Sequence, residues 1–218
     1  MRRRAYETEL EALNQDILRM GSMVENAVRA SVEALARQDL EQARMVIDDD
    51  AAIDGMERGV EQRCVNLLAL QQPMARDLRL VATAISIVTD LERMGDHAVN
   101  ISEVTARIGV QPLIKPLIDI PGMAALSQKM IKGSLDAFVS RDAELARATC
   151  RKDDAVDSMY EALFDELMGF IVASRDESVS TQAVNLLFVA RFLERIADHA
   201  ANIGERVIYM VTGRRETY

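Results

Sequence analysis

The chain is poor in the residues that build sheets, staples and membrane spans. Its 218 residues include no tryptophan, and aromatics make up only 4%. That scarcity removes side chains that pleated sheets favour. There are four prolines, and three of them, Pro112, Pro116 and Pro121, stand together, so most of the chain is free of helix breakers. The two cysteines, Cys64 and Cys150, form no CxxC pair and read as reduced, partly buried thiols, not as a disulfide or a metal site. No apolar run approaches the ~18 residues of a spanning helix. The basic start Met-Arg-Arg-Arg is not followed by an apolar stretch, so it does not read as a signal peptide, and the cytoplasm is the expected compartment. Positive charge is in deficit: 26 Lys+Arg against 35 Asp+Glu leave a net charge of −9. Such a surface repels phosphate backbones and anionic headgroups, which sets aside nucleic acid and lipid surfaces as expected partners. Walker A, GxGxxG, HExxH, GxSxG and protein-kinase signatures are all missing, so no catalytic set is in view.

What is present is helix-forming composition, with an apolar content of 49% that is ample for a packed core. Within it one segment is written twice. Residues 91–104 read LERMGDHAVNISEV and residues 193–206 read LERIADHAANIGER. Glu92 and Glu194 stand 102 residues apart (194 − 92), near half the chain length, so two copies of one structural unit are expected. Nine of the fourteen positions are identical, and six of the nine are polar. Core packing has no need to repeat Glu, Arg, Asp, His, Asn and Glu, so a site in each half is expected.

The helical pattern divides accordingly. A first helix is expected from about Tyr6 to Arg37. Asp39, with Gln42 three residues on, reads as the N-cap of a second helix running to about Leu70. Pro73 marks a turn or a first-turn proline, and a third helix runs from about Met74 to Arg107, ending at Gly109. The segment GVQPLIKPLIDIPG is the connection between halves. The second half repeats the plan: a helix from Pro121-Gly122 to about Ser140, Asp142 as the counterpart of Asp39, a helix to about Ser174, a polar turn through Ser178, and a last helix from about Val179 to Val211. The expected fold is all-α, two tandem pseudo-symmetric three-helix bundles of six long antiparallel helices, over 1–110 and 122–218 with a proline-rich connection at 111–121. Leu91, Met94, Ala98, Ile101, Thr105 and Ile108 form a core seam at spacings of 3 and 4, and Leu193, Ile196, Ala200, Ile203, Val207 and Met210 repeat it.

Four acidic pairs flank these seams. Asp50–Asp54 and Glu92–Asp96 lie in the first half, Asp153–Asp157 and Glu194–Asp198 in the second. Residues four apart share a helix face, and like charges there repel unless a cation sits between them. Carboxylates suit Mg²⁺, Ca²⁺, Mn²⁺ and iron. Consecutive helices are antiparallel neighbours, so the two pairs of each half can face each other across a groove and make a surface metal site. Asn100 and Asn202, one turn further on, are candidate accessory groups. Arg93 and Arg195 compete with a metal by pairing with Asp90 or neighbouring acids. His97 and His199, the only histidines, point away from the acids and read as half-buried residues bonded to a neighbouring helix. A di-iron enzyme would need inward Glu-x-x-His, and a histidine phosphotransfer bundle an exposed His followed by Lys and Gly; neither occurs.

QQPMARDLRL (71–80), DLERMGDHAVNI (90–101) and FLERIADHAANIGERVIY (192–209) resemble the PhoU family, and the resemblance covers essentially the whole chain. It implies two pseudo-twofold three-helix bundles with (E/D)xxxD motifs that carry metal in some members. Here these are Asp50–Asp54, Glu92–Asp96, Asp153–Asp157 and Glu194–Asp198, all intact. The implied cofactor is a divalent metal or an iron cluster, with Fe, Zn, Mn and Mg open. The implied role is a non-enzymatic, cytoplasmic negative regulator of the phosphate-starvation response. It would form a homodimer and link the ATP-binding subunit of a phosphate ABC transporter (PstB-like) to a sensor histidine kinase (PhoR-like). A metal-storage or metal-sensing protein, or an accessory of another phosphate permease, is the alternative. Two departures stand out: Ala197 replaces Gly95 in the second copy, and the second half lacks a QQP-DLR counterpart.

Overall fold

The computed structural model describes residues 2–218, with side chains from Tyr6 onward; the basic start at residues 1–4 lies outside the described side chains. The helices are α1 (Arg2–Arg37), α2 (Leu40–Gln71), α3 (Ala75–Ile108), α4 (Asp119–Ser140), α5 (Ala143–Cys150), α6 (Asp153–Ala173) and α7 (Glu177–Thr212). Among the described residues no strand occurs. The architecture is the expected all-α pair of bundles: α1–α3 form one lobe and α4–α7 the other.

Each lobe turns its first corner in the same way. At the end of α1 the Asp39 N–H donates to Ala34 O at 2.9 Å, and at the end of α4 the Asp142 N–H donates to Ala137 O at 3.0 Å. This six-to-one closure requires a left-handed residue, supplied by Gln38 (φ 54°) and Arg141 (φ 55°). The aspartate that closes one helix then caps the next. Asp39 Oδ1 accepts from the N–H groups of Glu41 and Gln42, and Asp142 Oδ1 from those of Glu144 and Leu145. Each cap satisfies donors that a helix start leaves orphaned.

Three expected boundaries differ. Pro121 does not open α4 but sits inside its first turn, where its missing N–H costs nothing. Asp176 caps α7, its carboxylate accepting from Ser178 N–H at 2.8 Å, so that helix begins two residues before Val179. The helix expected from Asp142 to Ser174 is broken at Arg151–Lys152 into α5 and α6. There the bonding tightens to i→i+3, with Lys152 N–H to Thr149 O at 3.0 Å and Ala155 N–H to Lys152 O at 3.1 Å. Thr149 Oγ1 donates back to Leu145 O at 2.9 Å, a competing bond that bends helices.

Both core seams are buried along their length, and α1 adds Leu13, Ile17, Met20, Val24 and Val28 at spacings of 3 and 4. Between lobes, α3 packs on α7 and α1 on α4. Each of these four helices thus meets its own repeat counterpart, which is the signature of a pseudo-twofold axis. Gly21 permits the α1–α4 approach: a Cβ there would overlap Leu135. The connection is clamped to the second lobe by buried Gln182, which accepts from Ile114 N–H at 2.6 Å and donates to Pro112 O at 3.1 Å. Among the described residues no helix is long and apolar enough to cross a membrane.

Candidate functional site

The i, i+4 acids sit beside the seams because each follows or precedes a core residue on its helix. In the first lobe Asp50 and Asp54 on α2 straddle buried Ile53, and Glu92 and Asp96 on α3 flank buried Leu91, Met94 and Gly95. All four are half-buried. The groove between α2 and α3 is narrow here: a Cβ added at Gly95 would lie 3.4 Å from Asp50 Oδ1. The carboxyls influence one another across that groove. Asp50 is pushed above the ordinary carboxylate range, first by burial and then by the charges of Asp54 and Asp96. Glu92 is raised by burial and by Asp96, with Arg93 opposing and Glu57 and Asp54 adding to the rise.

The second lobe repeats the arrangement with α6 and α7, and its frustration is greater. Asp153 is pushed up to about 7, by burial first and then by Asp198, Asp157, Glu194 and Asp154. Asp157 is raised by burial, Asp198, Asp154 and Glu161, against the pull of Arg191. Glu194 is raised by burial and Asp198, against Arg191 and Arg195. Two oxygens here, Asp153 Oδ1 and Glu194 Oε2, are buried without a hydrogen-bond partner. An orphaned carboxylate oxygen in a cluster of like charges is the environment a cation relieves. Among the described residues, however, no three such side chains are gathered into a set ready to hold one ion. The donor chemistry fits a hard cation, and the side chains would have to draw in around it.

The arginines act locally. Arg93 pairs with Glu92 (3.4 Å) and Asp96 (3.1 Å), and Arg195 with Asp198 (3.2 Å), so neither reaches Asp90. Two further guanidiniums, not singled out in the sequence, join them: Arg58 lies 3.8 Å from Asp54, and Arg191 bonds Glu194. Their spacings, i+4 and i−3, were the available signal. Glu57, Asp154 and Glu161 likewise add charge that the four-pair pattern omits. Asn202 lines a groove between α3 and α7 together with Arg79 and Arg206, and neither it nor Asn100 is hydrogen-bonded to the acids among the described residues.

The repeated histidines belong to the joint between lobes. His199 Nδ1 lies 3.0 Å from buried Asp90 Oδ1, and Arg206 Nε donates to Asp90 Oδ2 at 3.0 Å. This is the half-buried histidine bonded to another helix that its place on α7 suggests. On the other side of the axis His97 stacks on Phe192 at 5.7 Å, and the two histidine rings are 5.8 Å apart. Phe192 is the repeat counterpart of Asp90, so the two copies solve one joint differently. Burial, then His199 and nearby arginines, pushes His97 down to about 4.

Fold and site together define a duplicated three-helix-bundle protein that carries one acidic cluster on each repeat and a polar joint between them. The chain belongs to the PhoU family: the PhoU domain matches residues 17–105 and again residues 120–207. It is similar to the phosphate-specific transport system accessory protein PhoU homolog of Clostridium acetobutylicum, at 41% identity over 216 residues, 99% of this chain and 98% of that one. The corresponding homolog of Aquifex aeolicus is 40% identical over 94% of this chain and 92% of its own. Among solved structures, PhoU from Pseudomonas aeruginosa superposes with a TM-score of 0.90 at 35% identity, covering 96% of this chain and all of that one. The phosphate transport system regulatory protein PhoU from Streptococcus pneumoniae gives 0.90 at 33% identity, with coverage of 98% and 100%.

Proposed function

We propose that this protein is a non-enzymatic accessory and negative regulator of phosphate-specific transport. The observation that carries this reading is the full-length similarity to proteins named as accessories of that transport system, spanning both repeats and both acidic clusters. In this reading it acts in the cytoplasm as an adaptor between the transporter's ATP-binding subunit and a sensor histidine kinase, restraining the kinase when phosphate is plentiful. The two partners, the dimeric state and the location are carried by the family resemblance.

The acidic clusters supply the docking chemistry. Asp50, Asp54, Glu92 and Asp96 would hold a cation in the first lobe, and Asp153, Asp157, Glu194 and Asp198 in the second. A bound cation supplies the positive charge that these crowded carboxylates lack. Arg93 holds Glu92 and Asp96, and Arg195 holds Asp198, which limits the excess charge of each cluster. Long rigid helices then present these faces to basic surfaces of the partners. Binding of the purified ATP-binding subunit to immobilised protein tests this. The variant Asp50→Asn/Asp54→Asn/Glu92→Gln/Asp96→Asn is expected to bind at least about tenfold more weakly, the effect of losing a few charge-assisted contacts. Unchanged affinity removes the acidic faces from partner docking.

A second reading, metal storage or sensing, is favoured by the unpartnered Asp153 Oδ1 and Glu194 Oε2. It requires target-gene expression to follow metal supply at constant phosphate, whereas the first reading requires the reverse.

A further inference from the structure

The repeat provides an internal control for the surface. Positions on α6 match those on α2 at an offset of 103, and positions on α7 match those on α3 at 102. On α6, Tyr160, Phe164, Met168 and Val172 recur every four residues and share a face. Their counterparts on α2 are Glu57, Glu61, Val65 and Ala69. On α7, Val184 and Phe188 have Ala82 and Ser86 as counterparts. The first lobe folds into the same bundle with acids or smaller residues at these places, so the bundle does not require the aromatic ones.

On α6 these side chains form an exposed strip, and Val184 and Phe188 are exposed on the neighbouring α7. Phe188 is 50% exposed, Phe164 and Val184 are 40% exposed, and Met168 is 37% exposed. The Arg191 guanidinium lies over the Tyr160 ring at 5.9 Å. That contact fixes the antiparallel register, which places Phe164 level with Phe188 and Met168 level with Val184 along the two helices. Tyr160 and Phe164 are 6.2 Å apart on α6, and Phe188 and Phe192 are 6.3 Å apart on α7, where Phe192 also stacks on His97 at the joint between lobes. Clustered exposed aromatics of this kind mark interaction sites.

The charges around the strip select its occupant. Glu161 and Asp165, both exposed, follow Tyr160 and Phe164 along one edge, and Asp157 with the second carboxylate cluster closes one end. Of the nearby cations, Arg191 is already held by Glu194, and Arg175 stands beyond the far end in the α6–α7 turn. A second copy of this chain would bring Glu161 and Asp165 against themselves, which like charge opposes. We propose that the α6–α7 face of the second lobe, and not its counterpart on the first, is the docking groove for an amphipathic partner helix with an apolar stripe and a Lys/Arg-rich flank. This deepens the adaptor reading and rests on it: the strip gives an anchor, and the adjoining carboxylates give the complementary charge.

The test uses a fluorescein-labelled 18-residue peptide with leucines at i, i+3, i+4 and i+7 and lysines alongside, and a control of the same composition with the leucines scattered round the helix. Fluorescence anisotropy at physiological salt should show binding of the first peptide and not of the second. The variant Phe164→Glu/Phe188→Ser should weaken binding at least about tenfold, since two ring anchors are lost. It carries the residues that the first lobe already tolerates at these places, and circular dichroism checks its fold. Phe164→Leu/Phe188→Leu should bind within about threefold of wild type, because apolar area persists. Val65→Glu on the first lobe should change nothing. Equal binding of both peptides, or unchanged affinity in Phe164→Glu/Phe188→Ser, overturns the proposal. A wild-type dimer that this variant converts to monomer in sedimentation equilibrium also overturns it and gives the face to a second copy. Peptide binding in a protein whose deletion leaves phosphate signalling unchanged would retain the groove and remove the adaptor reading; the reverse result would retain the reading alone.

Discussion

Replacing Asp153 by Asn should stabilise the folded protein at pH 8, although it removes a charge that this family pattern repeats. Asp153 is raised from 3.8 to about 7 by burial and by Asp198, Asp157, Glu194 and Asp154. In a fully buried carboxyl a rise of this size amounts to roughly 4 kcal/mol. Asp153 is half-buried, so water screens much of that and leaves about 1–2 kcal/mol. Against it stands the first turn of α6, where a carboxylate gains about 0.3–1 kcal/mol from the helix dipole. Repulsion wins, and a net gain of about 1 kcal/mol raises the melting temperature of a chain this size by about 2–4 °C. The pH dependence follows from the same shift. Between about pH 4 and 7 the folded carboxyl keeps a proton that the unfolded chain releases, so this group lowers stability as pH rises through that window. Asp153→Asn removes that slope. Thermal melts followed by circular dichroism, with chelator present, should show the variant above wild type at pH 8 and the gap shrinking at pH 4.5. A variant melting at or below wild type at pH 8 would refute the reasoning.

Other predictions concern packing and the joint between lobes. Asp90→Ala leaves His199 Nδ1 and Arg206 Nε without their acceptor; His199 is largely buried and Arg206 half-exposed, so urea unfolding should report a loss of about 2–3 kcal/mol. Gly204→Ala would set a Cβ 2.5 Å from Cys150 Sγ, and the clash should outweigh the helix-propensity gain, lowering stability by about 1 kcal/mol or more in the same assay. Gly59→Ala meets nothing within 4 Å and should instead gain up to about 1 kcal/mol. His97, held down to about 4, should show imidazole NMR shifts that stay flat from pH 8 to about 5.5; a midpoint near the usual histidine value would contradict its packing against Phe192 and His199.

The features legible in the sequence are those that local chemistry decides. Asp39 and Asp142 are short acceptors directly ahead of apolar periodic runs, and both cap helices. The seams from Leu91 to Ile108 and from Leu193 to Met210 follow from spacing alone, and every member is buried. The break after Cys150 was not legible, because Arg151-Lys152 holds neither glycine nor proline and nothing local marks a stop. The acidic pairs are visible as i, i+4 repeats, and their placement beside core residues follows from Ile53 and Leu91. Their unequal ionisation is not visible: Asp153 owes it to burial at a helix start and to acids on another helix. The partner of His199 was beyond reach for the same reason, since Asp90 lies 109 residues away and only the pseudo-twofold packing of α3 on α7 joins them. The first-lobe counterparts Glu61 and Ser86 of Phe164 and Phe188 could have been read from the repeat, but exposure is what gives that difference meaning.

The most direct test is alkaline phosphatase activity in a strain of the source organism deleted for this gene and grown in ample phosphate, with and without the gene restored. High activity in the deletion, silenced on restoration, is the result expected of a negative regulator of the phosphate response. Activity that is low in both strains, and unchanged by restoration, would contradict that role.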